Sequence, residues 1–338
     1  MREVVRLVCG IDVEEEGLFA GRYQCRSPSL KNIASLQRLV PFLERGLRPT
    51  LFCAHCVLTD RSSCRTLEGL RQHDCVEVAA HLHHWNTPPL DKDCPDWLAA
   101  VPAGAVPPPQ MAAKLTNLFR AGQDFLGEPV RSFRMGRWDM HRAHWPLLEG
   151  SGVLNDASVR PLHGSGCAER DLPSAPPDHF HAPASPYWIP CNKGRIFELP
   201  LTVTPLVAGL PRLFSSLSGR WGARLRAGLR HWGALTLLPV EHPLWAMQAV
   251  TRLSLRRQGR DGARVLSLTW HSSEMMPGGT PHLPDEAAVS RFLARVGRYL
   301  DWLGQTYEVR YLTLDELRQE WGDRAITAPC GPGDWRAV

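Results

Sequence analysis

Asp12 and Glu14 stand two residues apart at the end of an apolar, β-branched run, Val4 to Asp12. Alternate side chains of a strand share a face, so both carboxylates can project into one site. Carboxylates that close repel unless their environments differ or a cation lies between them. A bound metal settles the conflict, with one carboxylate as ligand and the other free as a base. Glu15 and Glu16 follow directly, so this motif taken alone also reads as a solvated acidic strand end.

His81-Leu82-His83-His84-Trp85 closes another apolar run. Imidazole is a common metal ligand, and His81 and His83 share one face if the strand continues, whereas His84 serves if the chain turns. Trp85 and the Asn-Thr-Pro-Pro that follows would shape a pocket edge. Ser132-Phe-Arg134-Met-Gly136-Arg137-Trp138 ends a further run. Arg134 can hold a carboxylate bidentately and keep it ionised, and Gly136 lets the backbone approach closely. Asp156 could ion-pair or orient a histidine. His271, in Thr269-Trp270-His271-Ser-Ser-Glu274-Met-Met-Pro-Gly-Gly279, could protonate a leaving amine, with Glu274 and the Pro-Gly-Gly turn holding its loop. Among the chain's twelve tryptophans, Trp85, Trp138, Trp188 and Trp270 fall near expected strand ends and could stack on sugar rings, or pack in the core.

What must position these groups is an alternation of strands and helices. Strands are expected at Val4–Asp12, Thr50–Cys53, Val76–His81, Val130–Met135, Val153–Val159, Arg195–Leu201, Val265–His271 and Val309–Leu314. Helices are expected at Ser29–Arg45, Leu67–Gln72, Pro107–Phe125, Glu286–Leu303 and Leu314–Trp321, from apolar residues at three- and four-residue spacing. Seven or eight βα units predict an α/β protein with a barrel rather than an open sheet, and catalytic groups at the C-terminal ends of its strands. Each cluster above falls at such an end. One domain over residues 1–322 is expected, interrupted at about 160–193 by a Pro-, His- and Ser-rich loop and at 206–260 by an Arg-rich segment. The Arg-rich stretch reads either as a barrel helix with its loops or as a basic amphipathic surface that meets a membrane or a lipid-linked substrate. Residues 323–338 are expected to form a disordered tail.

Composition narrows the class. With 43% apolar and 22% charged residues the chain is globular rather than disordered. Its net charge of +5 comes with no groove-reading motif, so no nucleic-acid partner is expected. The opening MREVVRLVCGID lacks the pattern of an export signal, and a cytosolic chain with reduced thiols is the expectation, peripheral at the inner membrane face if the basic segment docks there. Cys53-Ala-His-Cys56 has no second pair to complete a zinc site and reads as a strand end.

In order along the chain, GIDVEEEG, EVAAHLHHWNTPP, SFRMGRWDM, LNDASVRP and LTWHSSEMMPGG resemble the motifs of the polysaccharide deacetylase (NodB-homology) family, with FELPLTVTP similar to a strand of its bacterial surface-polysaccharide subgroup. The resemblance runs from about residue 4 to residue 318. It implies a distorted (β/α)7-type barrel of the glycoside hydrolase/deacetylase kind and a metal-dependent hydrolase, with Zn²⁺ as its metal, that removes an N-acyl group, most simply N-acetyl, from a sugar or glycan precursor. The expected cytosolic location then makes that precursor a nucleotide-linked sugar, a lipid-linked sugar or a glycoside. Carried over by position, Asp12 matches the catalytic base, Glu14 and His81 the metal ligands, Arg134 the arginine bracing the base, Asp156 the family's Asp motif and His271 the catalytic acid. Trp85, Gly136, Arg137, Trp138, Trp270 and Glu274 fall where substrate would be held. The chain departs from the pattern twice. Glu14 replaces an Asp, and Trp85 stands where a second histidine belongs, so His83 or His84 must substitute. Other readings of the same residues are an amidase on a non-sugar substrate and a catalytically silent glycan-binding homologue.

Overall fold

A computed structural model describes residues 2–21, 23–90, 97–98, 102–164, 177–217, 219–258 and 263–322. The expected tail at 323–338 lies outside these, as does part of the expected loop at 160–193. Eleven strands carry the argument: β1 (Val4–Val13), β2 (Pro49–Ala54), β3 (Glu77–Leu82), β4 (Ser132–Met135), β5 (Asn155–Asp156), β6 (Tyr187–Pro190), β7 (Arg195–Glu198), β8 (Val203–Pro205), β9 (Ala234–Thr236), β10 (Val265–His271) and β11 (Glu308–Leu312). Nine form one sheet in the order β10-β1-β2-β3-β4-β5-β7-β6, with β11 beside β1. All pairs are parallel except β6 with β7.

β1 is the axis of the sheet. Its residues Arg6 to Asp12 pair with β10 on one side, while on the other Val4 to Val8 pair with β11 and Cys9 to Val13 with β2. A strand flanked on both edges and covered on both faces must be largely apolar, and eight of its ten residues are buried, with Val4 and Arg6 partly so. The sheet curls into a mixed α/β half-barrel, in keeping with the barrel-type α/β fold that the strand–helix alternation predicts. Helices Pro108–Leu126 and Glu286–Thr306 cover it, the second capped by Asp285, which accepts from Ala288 N.

Three expectations need correction. Ser29–Arg45 is no amphipathic α-helix: Lys31–Leu39 winds as a 3₁₀-helix and only Val40–Leu43 is α. Its buried residues Ile33, Leu36 and Leu39 recur every third position, the repeat of a three-residue turn. Within the expected loop at 160–193, Tyr187–Pro190 is a strand that closes the sheet antiparallel against β7. The Arg-rich stretch, readable as a single barrel helix, forms three helices, Leu210–Ser216, Gly219–Trp232 and Leu244–Arg257, with β8 and β9 paired antiparallel around the first two.

Candidate active site

Parallel register lines the polar groups along one end of the sheet. Asp12 lies opposite His271, His81 opposite Arg134, and Asp156 between Phe133 and Glu198, each at or near its strand's C-terminal end. Above them opens a cavity of about 280 Å³, lined by Asp12, Glu14, His83, Trp138 and His271 among others.

Glu14, His81 and His83 bring one ligand atom each within 4.8 Å of one another. His81 Nδ1 lies 3.1 Å from the Arg134 carbonyl oxygen, which can only accept, so that nitrogen carries the proton and Nε2 presents its lone pair. His83 Nδ1 likewise donates to Glu15 Oε2 at 2.8 Å. Both Nε2 atoms then face the same oxygen, Glu14 Oε2, at 3.2 and 3.1 Å. Three electron-pair donors aimed at one point need a positive charge among them. A divalent cation fits this donor set, and the outer partners of both histidines, a carbonyl and a carboxylate, are those that metal-bound imidazoles use.

Without a metal charge, protons answer the same field. Burial works against the charge of Glu14, yet His271, His81 and His83 hold its carboxyl far below the usual carboxylate range. Burial alone would lower the His83 pKa, but Glu15 and Glu14 raise it to about 10. His84, the alternative ligand, lies off this cluster and packs edge-on against Trp85 at 5.1 Å. β3 ends at Leu82 and the turn begins at His84, so His83 still presents its ring on the side of His81, 3.1 Å from Glu14 Oε2.

Trp85 is buried, stacks on His83 at 4.2 Å and donates its indole N–H to Glu15 Oε1 at 2.8 Å. It is therefore a wall behind the ligand and not a pocket edge. Glu15 was legible only as an extra acidic residue, yet it fixes the His83 tautomer. Glu15→Gln weakens divalent-ion affinity by about 10–100-fold, measured by titration with a metal indicator; unchanged affinity contradicts the orienting role.

Asp12 has two unlike oxygens. Oδ1 is clamped by Arg134, while Oδ2 points toward the cluster, 4.0 Å from His81 Nε2 and 3.7 Å from His271 Nε2. Arg134 is buried, lies 3.9 Å over the Phe52 ring and also donates to the Ala157 carbonyl oxygen at 3.0 Å. It needs the space that Gly10 leaves, because a Cβ there would sit 2.7 Å from its guanidinium. Gly136 has the expected close-approach role: a Cβ would meet the His83 ring at 2.5 Å and the Leu82 carbonyl oxygen at 2.7 Å.

His271 donates its backbone N–H to Glu274 Oε2 at 3.0 Å, and its Nδ1 lies 3.3 Å from Glu274 Oε1. Nε2 is thereby turned toward Asp12 and the cavity. Burial opposes the imidazolium, but Glu274, Glu14 and Asp12 raise the His271 pKa to about 9. Glu274 lines the cavity wall but spends both oxygens on His271, so it orients that residue.

Arg137 and Trp138 both line the cavity, on successive residues with φ of 61° and 53°. Two left-handed non-glycine residues in a row cost on the order of 1–3 kcal/mol each and concentrate at functional sites. Phe19, Tyr23, Arg160, Leu238, Val240 and Glu241 complete the wall and carried no signal in the sequence. Asn32 went unnoticed too; its amide donates to the Glu14 carbonyl oxygen at 2.8 Å and to Ser272 Oγ at 2.8 Å, fixing the backbone under the ligand.

Three more residues expected at the site stand elsewhere. Trp270 is fully buried against Phe292, because strand alternation turns it away from the face of Asp12 and His271. Trp188, another stacking candidate, packs against Phe197. Asp156 accepts from Trp145 Nε1 at 2.8 Å and from Ser158 Oγ, beneath the site, and orients no histidine. Burial and then the charge of Asp156 push Glu198 well above the usual carboxylate range, and burial raises Asp156 as well. Cys53 and Cys56 take no part in the ligand cluster.

No family model matches the chain and no curated protein matches it. Solved structures do. A Parabacteroides distasonis protein provisionally described as a glycoside hydrolase/deacetylase aligns with a TM-score of 0.56 at 11% identity, over 96% of this chain and 73% of its own. Puue allantoinase aligns with a TM-score of 0.54 at 12% identity, over 94% and 90%. A Mycobacterium smegmatis protein provisionally described as a polysaccharide deacetylase aligns at 16% identity over 94% and 90%, with a TM-score of 0.49. The first two likenesses define the class of fold, a (β/α) barrel of the deacetylase and glycoside-hydrolase type.

Proposed function

We propose that this chain is a divalent-metal-dependent amidohydrolase that removes an N-acyl group, most simply N-acetyl, from a sugar. The observation that carries the reading is the convergence of Glu14, His81 and His83 beside an Asp12 with one oxygen clamped and the other free. Zinc suits two imidazoles and a carboxylate with positions left open, and when bound it supplies a polarised water and a charge for the developing oxyanion.

The chain's own residues supply the rest. Asp12 Oδ2 takes the proton of the attacking water, its direction fixed by Arg134, which holds Oδ1. His271, whose charged form Glu274, Glu14 and Asp12 favour, donates from Nε2 to the departing amine. Phe19, Tyr23 and Trp138 offer faces for a sugar ring, and Arg137 and Arg160 offer donors for its substituents. A nucleotide- or lipid-linked sugar precursor is the substrate class. A panel of N-acetylated sugars against small amides and ureides separates this from a non-sugar amidase. A silent homologue had its support in Trp85 at a ligand position, and His83 in the cluster takes that support away.

Metal content per chain, beside His81→Ala, tests the assignment. About one divalent ion, lost in the variant, supports it; an equal content in both overturns the ligand set. The His271 assignment predicts that kcat falls as pH rises through the pKa of the acid. That midpoint lies at or below about 9, because a bound cation lowers it, and the limb disappears in His271→Gln. A limb that persists in the variant contradicts the role.

A further inference from the structure

Between Glu198 and Glu241 the chain contains five arginines and no lysine or acidic residue, so this segment alone carries a charge equal to the whole chain's +5. It forms the helical insertion. On helix Gly219–Trp232, Ala223, Arg226 and Leu229 face inward, the Arg226 guanidinium donating to the carbonyl oxygens of Phe214 and Leu217. The outward face is the unusual one. Trp221, Leu225 and Trp232 fall within about 40° of one another at 100° per residue, and they are 75%, 37% and 54% exposed. Arg220, Arg224 and His231 flank that apolar stripe, all exposed, with the Arg224 guanidinium 5.6 Å from the Trp221 ring. Leu206, Val207 and Leu213 continue the exposed apolar surface on the same insertion, at 49%, 61% and 57%.

Large aromatic and aliphatic side chains turned to solvent, beside the exposed cations Arg220 and Arg224, make the chemistry of an interfacial helix. We propose that this insertion docks on an anionic lipid bilayer, with Trp221 and Trp232 entering the headgroup boundary and the arginines meeting lipid phosphates. Docking and not spanning is the mode, since no helix among the described residues is long and apolar enough to cross a membrane. The insertion is tied to the cavity through the chain: β9 leads directly from this helix to Leu238 and Val240 in the cavity wall, and Leu238 packs with Leu201, Val203 and Ala234. A sugar substrate carried on a lipid would therefore meet the cavity from the docked side. The docking itself does not depend on the hydrolase reading.

Vesicle co-sedimentation of the full chain tests it, using phosphatidylcholine alone against an equimolar mixture with phosphatidylglycerol. Binding to the anionic vesicles is expected, weakened by salt and weaker by about ten-fold or more in both Trp221→Ala/Trp232→Ala and Arg220→Glu/Arg224→Glu. These side chains are exposed, so both variants keep the wild-type melting temperature and metal content. Absence of binding to anionic vesicles, or binding that both variants retain, overturns the proposal. A dimer in solution that the tryptophan variant abolishes, without vesicle binding, assigns the face to a second copy and overturns it equally.

Discussion

Asp12→Asn lowers turnover by about 10²–10⁴-fold and leaves the bound metal in place. The amide keeps the size of the carboxylate and an oxygen acceptor for Arg134, but it cannot take a proton from water at neutral pH. The metal is retained because the nearest ligand nitrogen, His81 Nε2, lies 4.0 Å from Asp12 Oδ2 and is aimed at Glu14. The measurement is kcat on an N-acetylated sugar with metal content determined on the same preparation. A variant that loses metal and activity together would make Asp12 a ligand instead of a base; one that keeps its activity would remove it from the chemistry.

Arg134→Met destabilises the fold by about 3–5 kcal/mol, the cost of leaving a buried charge without its partner. Asp12 is 2% exposed, and the guanidinium is the cation that clamps its Oδ1. Methionine fills much of the same space over the Phe52 ring, so loss of packing is small and loss of charge dominates. The double variant Asp12→Asn/Arg134→Met should recover part of the stability, because it removes both charges at once. Denaturant unfolding of the four proteins gives the coupling. Strict additivity would show that the pair is not an energetic unit.

How much of this was readable beforehand follows from where the information lies. Asp12, His81 and His271 could be found because each ends an apolar run of strand length, and parallel pairing then puts strand ends together. His83 over His84 was left open, because the sequence does not say where β3 stops being extended. Glu15, Gly10 and Asn32 were silent because their roles are relational: a tautomer fixed, a guanidinium given room, a carbonyl held. None has a spacing of its own. Trp270 and Trp188 misled for the opposite reason, since a tryptophan near a strand end faces either the cavity or the core, and strand parity decides. Helix Gly219–Trp232 was legible as basic and amphipathic, but which face it buries is settled only by packing.

The central claim is hydrolysis of an N-acyl sugar at the Glu14–His81–His83 centre. Acetate release from N-acetylated sugars, by protein stripped of metal and then reloaded with Zn²⁺, tests it most directly. The account predicts release by the reloaded protein that matches the free amine formed, none by the stripped protein, and almost none by reloaded Asp12→Asn. Equal release by the stripped and reloaded proteins, or none by a protein that holds its metal on every sugar tried, would contradict it.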